Sequence, residues 1–558
     1  MKTLYLSIFI KFFLFSNYCF SQAPNWLWAK RAGGSVQDIA FALKVDTSGN
    51  SYIAGSFSSA AITFGSTTLT NVSSSAYDIF LTKYDASGNV LWAKSAGGMG
   101  ADVINSIDID MSGNVYVAGY FSGVSITFGS TTLTSVGNAD IFLAKYDVLG
   151  NFLWAKSAGG TSLDWGISLV VDAFGDAYIT GRFQSATISF GSTILTNVGA
   201  GSSDIFLVKY NPAGNVLWAK STGGTNNEEP YSIALDNSRN IYVGGLFTSA
   251  SISFGFTTIT NAGSADIFLA KYDSSGTALW ARSIGGTGGD RANSLVIDSN
   301  GNIYQCGSFY SPILNFGSIV LNNYDSNGNS SDIFLTKYDS TGYPIWASSS
   351  GGLGFDEATA LALDILGNIY VTGSFSSDTI YFGSSPVVNS ATNTDIFLVK
   401  YDSTGNVPWA IGAGGSTGEQ GNSVDVDASG NVYIAGGFYS SNVSFGFTSL
   451  NNANSNGSLS DIFLAKLGIA TVINELNNDL FFSVFPNPSV GIFQLNFGNI
   501  QFTGGELEIY DILGEIVFSS TNVNPSMTLD LSNLTNGIYF IILKTEKEEF
   551  AQKILINK

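Results

Sequence analysis

The sequence predicts an all-β fold, a seven-bladed β-propeller closed by N-terminal strand exchange, and two observations carry that reading. The first is a block of about 63 residues that recurs seven times. Its phrase DIFLxK begins at Asp78, Asp140, Asp204, Asp266, Asp332, Asp395 and Asp461, and the Trp of an LWAK-like phrase stands at Trp28, Trp92, Trp154, Trp218, Trp280, Trp346 and Trp409. The second is how the pattern is cut: it is entered at Trp28 with no DIFLxK before it and left at Lys466 with no Trp phrase after it. An open array would leave both ends unpaired, whereas a ring lets the first strand complete the last repeat.

One repeat reads as four strands. GGMGADVINSIDID leads through a turn at 110–114 into NVYVAGYF; a longer segment containing ITFGSTTLTSVG leads to DIFLAKYD; a turn at 147–151 feeds FLWAKSAGG. Runs rich in Val, Ile, Tyr, Phe and Trp, bounded by Gly, Asn, Asp and Ser, are the strand signature. Most turns follow D-x-x-G-N, as at 46–50, 85–89, 298–302, 364–368, 402–406 and 427–431. Asp accepts hydrogen bonds inside its own turn, and Gly supplies the positive φ that reverses the chain. Sequential antiparallel strands place these short turns on one face of the ring. The other face receives the links between repeats and the long segments that carry FG at Phe64, Phe128, Phe190, Phe254, Phe316, Phe382 and Phe445, which are expected to form small hairpins. The last strand carries Lys30, Lys94, Lys156, Lys220 and Arg282, charges that protect an exposed sheet edge.

Composition excludes several functions. A net charge of -20 argues against nucleic-acid binding, which needs clustered Lys and Arg; seven of the 23 basic residues are the scaffold lysines Lys83, Lys145, Lys209, Lys271, Lys337, Lys400 and Lys466. With no His, Ser-His-Asp and Cys-His mechanisms and imidazole-ligated zinc are ruled out. Residues 1–21 read as a secretory signal peptide, with early lysines, an apolar run and small residues ahead of Gln22. The mature chain then has no transmembrane run and a single cysteine, Cys306, in a slot where other repeats carry a small residue.

Candidate site residues come from strict repetition. Four residues after each GG pair stands an acid: Asp38, Asp102, Asp164, Glu228, Asp290, Asp356 and Glu419. Their functional reading is a ring of carboxylates near the channel that accepts a cation or a polyhydroxylated ligand. Their structural reading, which seven-fold repetition favours, is the capping of backbone N–H groups between blades. No cofactor is expected other than calcium, for which Asp325, Asn327, Asn329 and Asp332 form the local candidate; Gly328 falls at the fourth place of that loop and no Glu closes it. No catalytic residues are assigned. Glu228 with Glu229, or Asp356 with Glu357, could supply a glycosidase pair, but neighbours on a strand point apart and every repeat has comparable acids.

The combination GG-x-x-x-(D/E), D-x-x-G-N-x-Y and D-x-F-x-x-K-Y-D-x-x-G-x-x-x-W resembles the SBBP repeat, a seven-bladed propeller repeat of secreted bacterial proteins; the resemblance covers about 26–468 and implies no settled activity. The tail has no repeat. Its phrases FPNP (Phe485, Pro486, Asn487, Pro488), Gly491, IYDILGEIV, LTNGIYFI with Asn536 and Gly537, and KILINK resemble the type A C-terminal sorting domain of the type IX secretion system. That resemblance implies a small antiparallel β-sandwich that directs passage through the outer membrane and engages the secretion machinery. The expected organisation is a signal peptide at 1–21, a propeller at 22–468, a linker at 469–481 and a sorting domain at 482–558. The expected function is a secreted or surface-attached, non-catalytic module binding a glycan or protein; a surface glycoside-processing enzyme and a passive surface-layer component are the alternatives.

Overall fold

A computed structural model describes residues 24–468 apart from 74, 75, 392, 455 and 456, and residues 483–558 apart from 488, 497–504, 512–514, 522, 525 and 546–548. The expected signal peptide, the linker and Pro488 lie outside the described residues. Contacts divide the chain into two compact units, 1–469 and 470–558.

Among the described residues every regular element is a strand, and the named strands pair antiparallel in small sheets, an arrangement consistent with a β-propeller. Each repeat opens with an eight-residue strand that starts at its acid, as in Asp38–Val45, Asp102–Ile109 and Asp290–Ile297. The second strand (Ser51–Phe57 in the first repeat), the third (Asp78–Tyr84) and the fourth (Val90–Gly98) pair in sequence order. The second and third strands are buried along their whole length, so they read as apolar runs rather than as alternating patterns.

Among the described residues, no fourth strand of the seventh repeat follows Asp461–Gly468. Asn25–Ala32 fills that place, with Arg31 opposite Phe463 and Ala29 opposite Ala465, and the sheet runs Asn25–Ala32, Asp461–Gly468, Val432–Phe438, Glu419–Val426. Trp28 meets Tyr433 edge-on at 6.0 Å, the same contact that Trp92 makes with Tyr52 inside the first repeat.

Three recurring packings explain the repeated phrases. The Lys of DIFLxK lies over the Tyr ring of the second strand in every repeat, from Lys83 on Tyr52 at 4.7 Å to Lys466 on Tyr433 at 4.8 Å. The FG phenylalanine anchors its hairpin by packing on the Phe of DIFLxK, as Phe64 does on Phe80 at 5.2 Å. The D-x-x-G-N turns close on themselves: Asp46 accepts from the Ser48 and Asn50 amides and from Asn50 Nδ2, and Gly49 has φ 77°. Cys306 is fully buried, and burial raises its thiol pKa.

The C-terminal unit pairs a three-stranded sheet (Ser483–Phe485, Ile492–Asn496, Ser526–Asp530) with a four-stranded one (Ile516–Ser520, Gly505–Tyr510, Gly537–Thr545, Glu549–Ile556). Phe493, Leu495 and Leu529 of the first share a core with Leu507, Ile541 and Ile554 of the second. Within the FPNP phrase, Asn487 clamps the last strand: its Nδ2 donates to Lys553 O and its Oδ1 accepts from Leu555 N.

Deleting residues 25–30 would strip the outer strand from the seventh sheet and expose the edge of Asp461–Gly468. The expected outcome is aggregation together with a melting temperature lowered by more than about 5 °C, read by light scattering and thermal denaturation. A monomeric variant with an unchanged melting temperature would refute this pairing.

Candidate functional site

The first strands of all seven repeats line one cavity of about 450 Å³, with Lys44, Asp108, Val170, Ala234, Val296, Ala362 and Asp425 at equivalent positions. Lys44 Nζ lies 3.2 Å from Asp108 Oδ1; Asp108 and Asp425 together raise its pKa. Side chains link each first strand to the next. Ser106 Oγ accepts from Leu169 N, Ser168 Oγ from Ile233 N and Ser232 Oγ from Leu295 N, while Ser423 Oγ accepts from Leu43 N, joining the seventh repeat to the first. A bulge after the third residue of each first strand turns out one extra side chain, and Asn105, Asn293 and Asn422 use it to donate to carbonyls of the following repeat, at Gly166, Ala358 and Ala40.

The seven acids read from the sequence stand outside this cavity. Asp38, Asp102, Asp164, Glu228, Asp290, Asp356 and Glu419 are all buried, at 0–1% exposure, in the joints between neighbouring sheets. Asp38 is representative: Oδ2 accepts from Gly34 N at 2.8 Å and Ser59 Oγ at 2.8 Å, and Oδ1 accepts from the Ser58 and Ser59 amides at 3.2 Å. Asp290 is held in the same way by Gly286 N and by Ser311 N and Oγ. The carboxylate thus ties the link between two repeats to the end of its own second strand.

Sequence reasoning missed the partner of each acid. The Asp that opens DIFLxK is buried beside the acid of the next repeat, giving the pairs Asp461 with Asp38, Asp78 with Asp102, Asp140 with Asp164, Asp204 with Glu228, Asp266 with Asp290, Asp332 with Asp356 and Asp395 with Glu419. In each DIFLxK Asp one oxygen takes a backbone N–H, such as Val72 N for Asp78, and the other has no hydrogen-bond partner. Burial first, and the neighbouring carboxylate after it, pushes Asp38 up to about 6 and Glu228 and Glu419 up to about 7. The serine that receives each acid, 21 residues on, was a legible signal: Ser59, Ser185, Ser249, Ser311, Ser377 and Ser440.

The second repeat departs from this rule, because Gly123 stands where the others have that serine. Asp102 is left with neither oxygen bonded, and burial beside Asp78 raises it to about 8.

The remaining sequence candidates sit apart. Asp325 closes its own turn, accepting from Asn327 N, Asn327 Nδ2 and Asn329 N, whereas Asp332 belongs to a joint and accepts from Tyr324 N. Among the described residues, no group of three or more Asp, Glu or Cys gathers as a metal site would. Glu229 pairs with Arg182 and accepts from Tyr231 Oη, and Glu357 pairs with Arg291 and Asn293, so each is tied to a neighbouring repeat rather than to the acid beside it in sequence. In the C-terminal unit Asn536 accepts from Lys558 N, and Gly491, at φ 108°, accepts from Leu531 N.

Raised folded-state values mean that the native chain holds protons its unfolded form releases. That stability is complete below about pH 4 and is lost as pH rises through about 6 to 8, so the melting temperature is expected to fall from about pH 5 to about pH 8. Asp290→Asn disrupts a bonded carboxylate and should cost about 1–3 kcal/mol at either pH. Asp102→Asn removes an unbonded buried charge and offers a donor to Asp78, and should raise the melting temperature at about pH 8 but not at about pH 5. Thermal melts of the three proteins at both pH values, with and without calcium, check this; equal destabilisation by both substitutions would contradict it.

Residues 483–557 match the family model of the secretion system C-terminal sorting domain, and the protein is secreted or displayed at the cell surface. The chain is 26% identical over 460 aligned residues to an uncharacterized WD repeat-containing protein of Acanthamoeba polyphaga mimivirus, covering 68% of this chain and 32% of that protein. It is also 35% identical over 144 residues to the regulatory protein FlaEY of Caulobacter vibrioides, covering 26% of this chain and 15% of that one. The chain therefore spans a third or less of the length of these relatives. Two solved structures align along most of the chain at 10% identity: PorZ, a surface component of the type-IX secretion system of Porphyromonas gingivalis (95% of this chain, 100% of that chain, TM-score 0.18), and the extracellular domain of the hybrid two-component system BT4673 of B. thetaiotaomicron (93% and 92%, TM-score 0.17).

Proposed function

We propose that the seven sheets are the blades of one closed ring of the SBBP type, and that the protein is a non-catalytic binding or adhesion module carried to the surface by type IX secretion. The ring is supported by the single cavity shared by all seven first strands and by the Ser423–Leu43 bond that links last repeat to first. Export is supported by the sorting-domain match at 483–557.

The observation that carries the binding reading is the division between repeated and variable residues. The acids common to every repeat are buried in the joints, where they hold the sheets together. At exposed positions of the links and hairpins single repeats depart from the common residue: Met99, Phe256, Tyr324, Leu353, Tyr381 and Phe447 each stand where most repeats carry a smaller one. A scaffold held constant while one face varies is what recognition of an asymmetric partner requires.

Two measurements test this. Removing residues 483–557 is expected to leave a folded ring retained in the periplasm of a type IX-competent host; surface display at the normal level would refute delivery by the tail. The exported full-length protein is expected to bind isolated surface polysaccharide or surface protein saturably and without turning it over. Release of reducing ends would favour an enzyme, and absence of saturable binding would favour a passive coat component.

A further inference from the structure

The joint between the fifth and sixth repeats carries a second cavity, of about 440 Å³, lined by Gly351, Gly352, Leu353 and Gly354 of the link and by residues of the flanking loops. Three side chains around it occupy positions that structure makes equivalent in every repeat, and all three break the pattern. Tyr324 holds the position whose amide bonds the DIFLxK Asp, where other repeats have Val, Ala or Ser. Asp378 holds the position whose carbonyl accepts from the first residue after the hairpin; the others there are Ala, Val, Pro or Ser. Tyr381 lies on the outward face of its hairpin, opposite Pro386, where the others have Thr, Ser or Asn.

These departures have no role in the scaffold. Tyr324 is 69% exposed and Tyr381 58% exposed, although both edge a cavity that could have buried them. Asp378 is exposed as well, and its carboxylate takes part in none of the turn or joint bonds that occupy the repeated acids. The floor is a glycine-rich link whose neighbours Ser376 and Ser377 close it by donating to Phe355 O and Asp356. Among the described residues, no basic side chain lines the cavity.

We propose that this cleft binds a neutral sugar, with the Tyr324 and Tyr381 rings against the C–H faces of a pyranose and the Asp378 carboxylate accepting from its hydroxyls. This rests on the binding reading above and names its ligand class and place. Aromatic faces pair an apolar ring surface with a polar edge, which suits a pyranose. The carboxylate, with no Lys or Arg beside it, disfavours phosphate, sulfate and uronate. The volume falls within the range of about 300–1,000 Å³ typical of small-molecule sites and exceeds what one ammonium head would fill.

The test uses the full-length exported protein on an array of neutral oligosaccharides (gluco-, manno-, xylo- and chito-hexasaccharides), with calorimetry on each glycan bound. Tyr324→Ala and Tyr381→Ala should each weaken binding by at least about tenfold and Asp378→Asn by about threefold, while Leu149→Ala, an exposed side chain of the 147–151 turn, leaves it unchanged. Melting temperatures should stay at the wild-type value, since all three side chains are exposed, and Tyr324→Phe and Tyr381→Phe should retain most of the affinity. A glycan bound equally by all variants would overturn the cleft and leave the broader binding reading intact. Wild-type protein that binds none of these glycans would overturn the sugar assignment, while saturable binding to isolated surface protein would keep the broader reading separate. Binding of hexalysine that Asp378→Asn abolishes, with no glycan bound, would assign the cleft to a cationic ligand instead.

Discussion

The repeat unit depends on one constraint, the burial of two carboxyl groups at every joint between sheets. The joint leaves no room for alternatives. The first glycine of each GG pair lies so close to the DIFLxK Asp that a Cβ would fall about 2.0–2.2 Å from its carboxylate, as at Gly33 against Asp461, Gly97 against Asp78 and Gly285 against Asp266. The second glycine supplies the N–H that the next acid accepts, as Gly34 does for Asp38. A GG pair followed by an acid four residues on is therefore the chemical signature of the joint, and DIFLxK supplies its other half. Taking charges out of water is costly unless donors replace the solvent. Six of the seven acids meet that condition through the serine at the end of the second strand, and the seventh, Asp102, does not.

Much of the fold was legible in the sequence because the signals are local. Strand identity follows from the Val, Ile, Tyr and Phe runs, and each D-x-x-G-N turn contains every atom of its own hydrogen-bond network, as Asp46 to Asn50 illustrates. The pairing of Asn25–Ala32 with the last repeat was legible from the two cut ends, which is arithmetic on the repeat rather than chemistry.

The joint was only half legible. Repetition drew attention to Asp102 and Asp290 alike, but repetition cannot say which face of a strand a side chain takes or which neighbour it meets across a joint. The DIFLxK Asp looked like one more recurring beat of a strand, although it is buried against an acid of the following repeat. The cavity at Tyr324 and Tyr381 escaped for the opposite reason: periodic reading rewards what recurs, and these residues matter through not recurring. The same holds for Lys44 between Asp108 and Asp425, a charge cluster on three of the seven first strands that line the larger cavity, where the other four have Val or Ala.

The strand Asn25–Ala32 also sets a clock. Its partner lies some 430 residues away, as the Arg31–Asp461 ion pair records, so this strand must wait for a segment made some 430 residues later. Contacts of such high sequence separation make folding slow, because the entropy of closing the intervening chain is lost before the contact forms. The early repeats can assemble sheet by sheet, but the seventh stays unfinished until synthesis or translocation has delivered residues beyond Asp461. Arrival of the Asp461–Gly468 segment thus becomes a checkpoint on the native state: a fragment cut before it presents an open edge and is marked as incomplete by its own hydrogen-bonding surface.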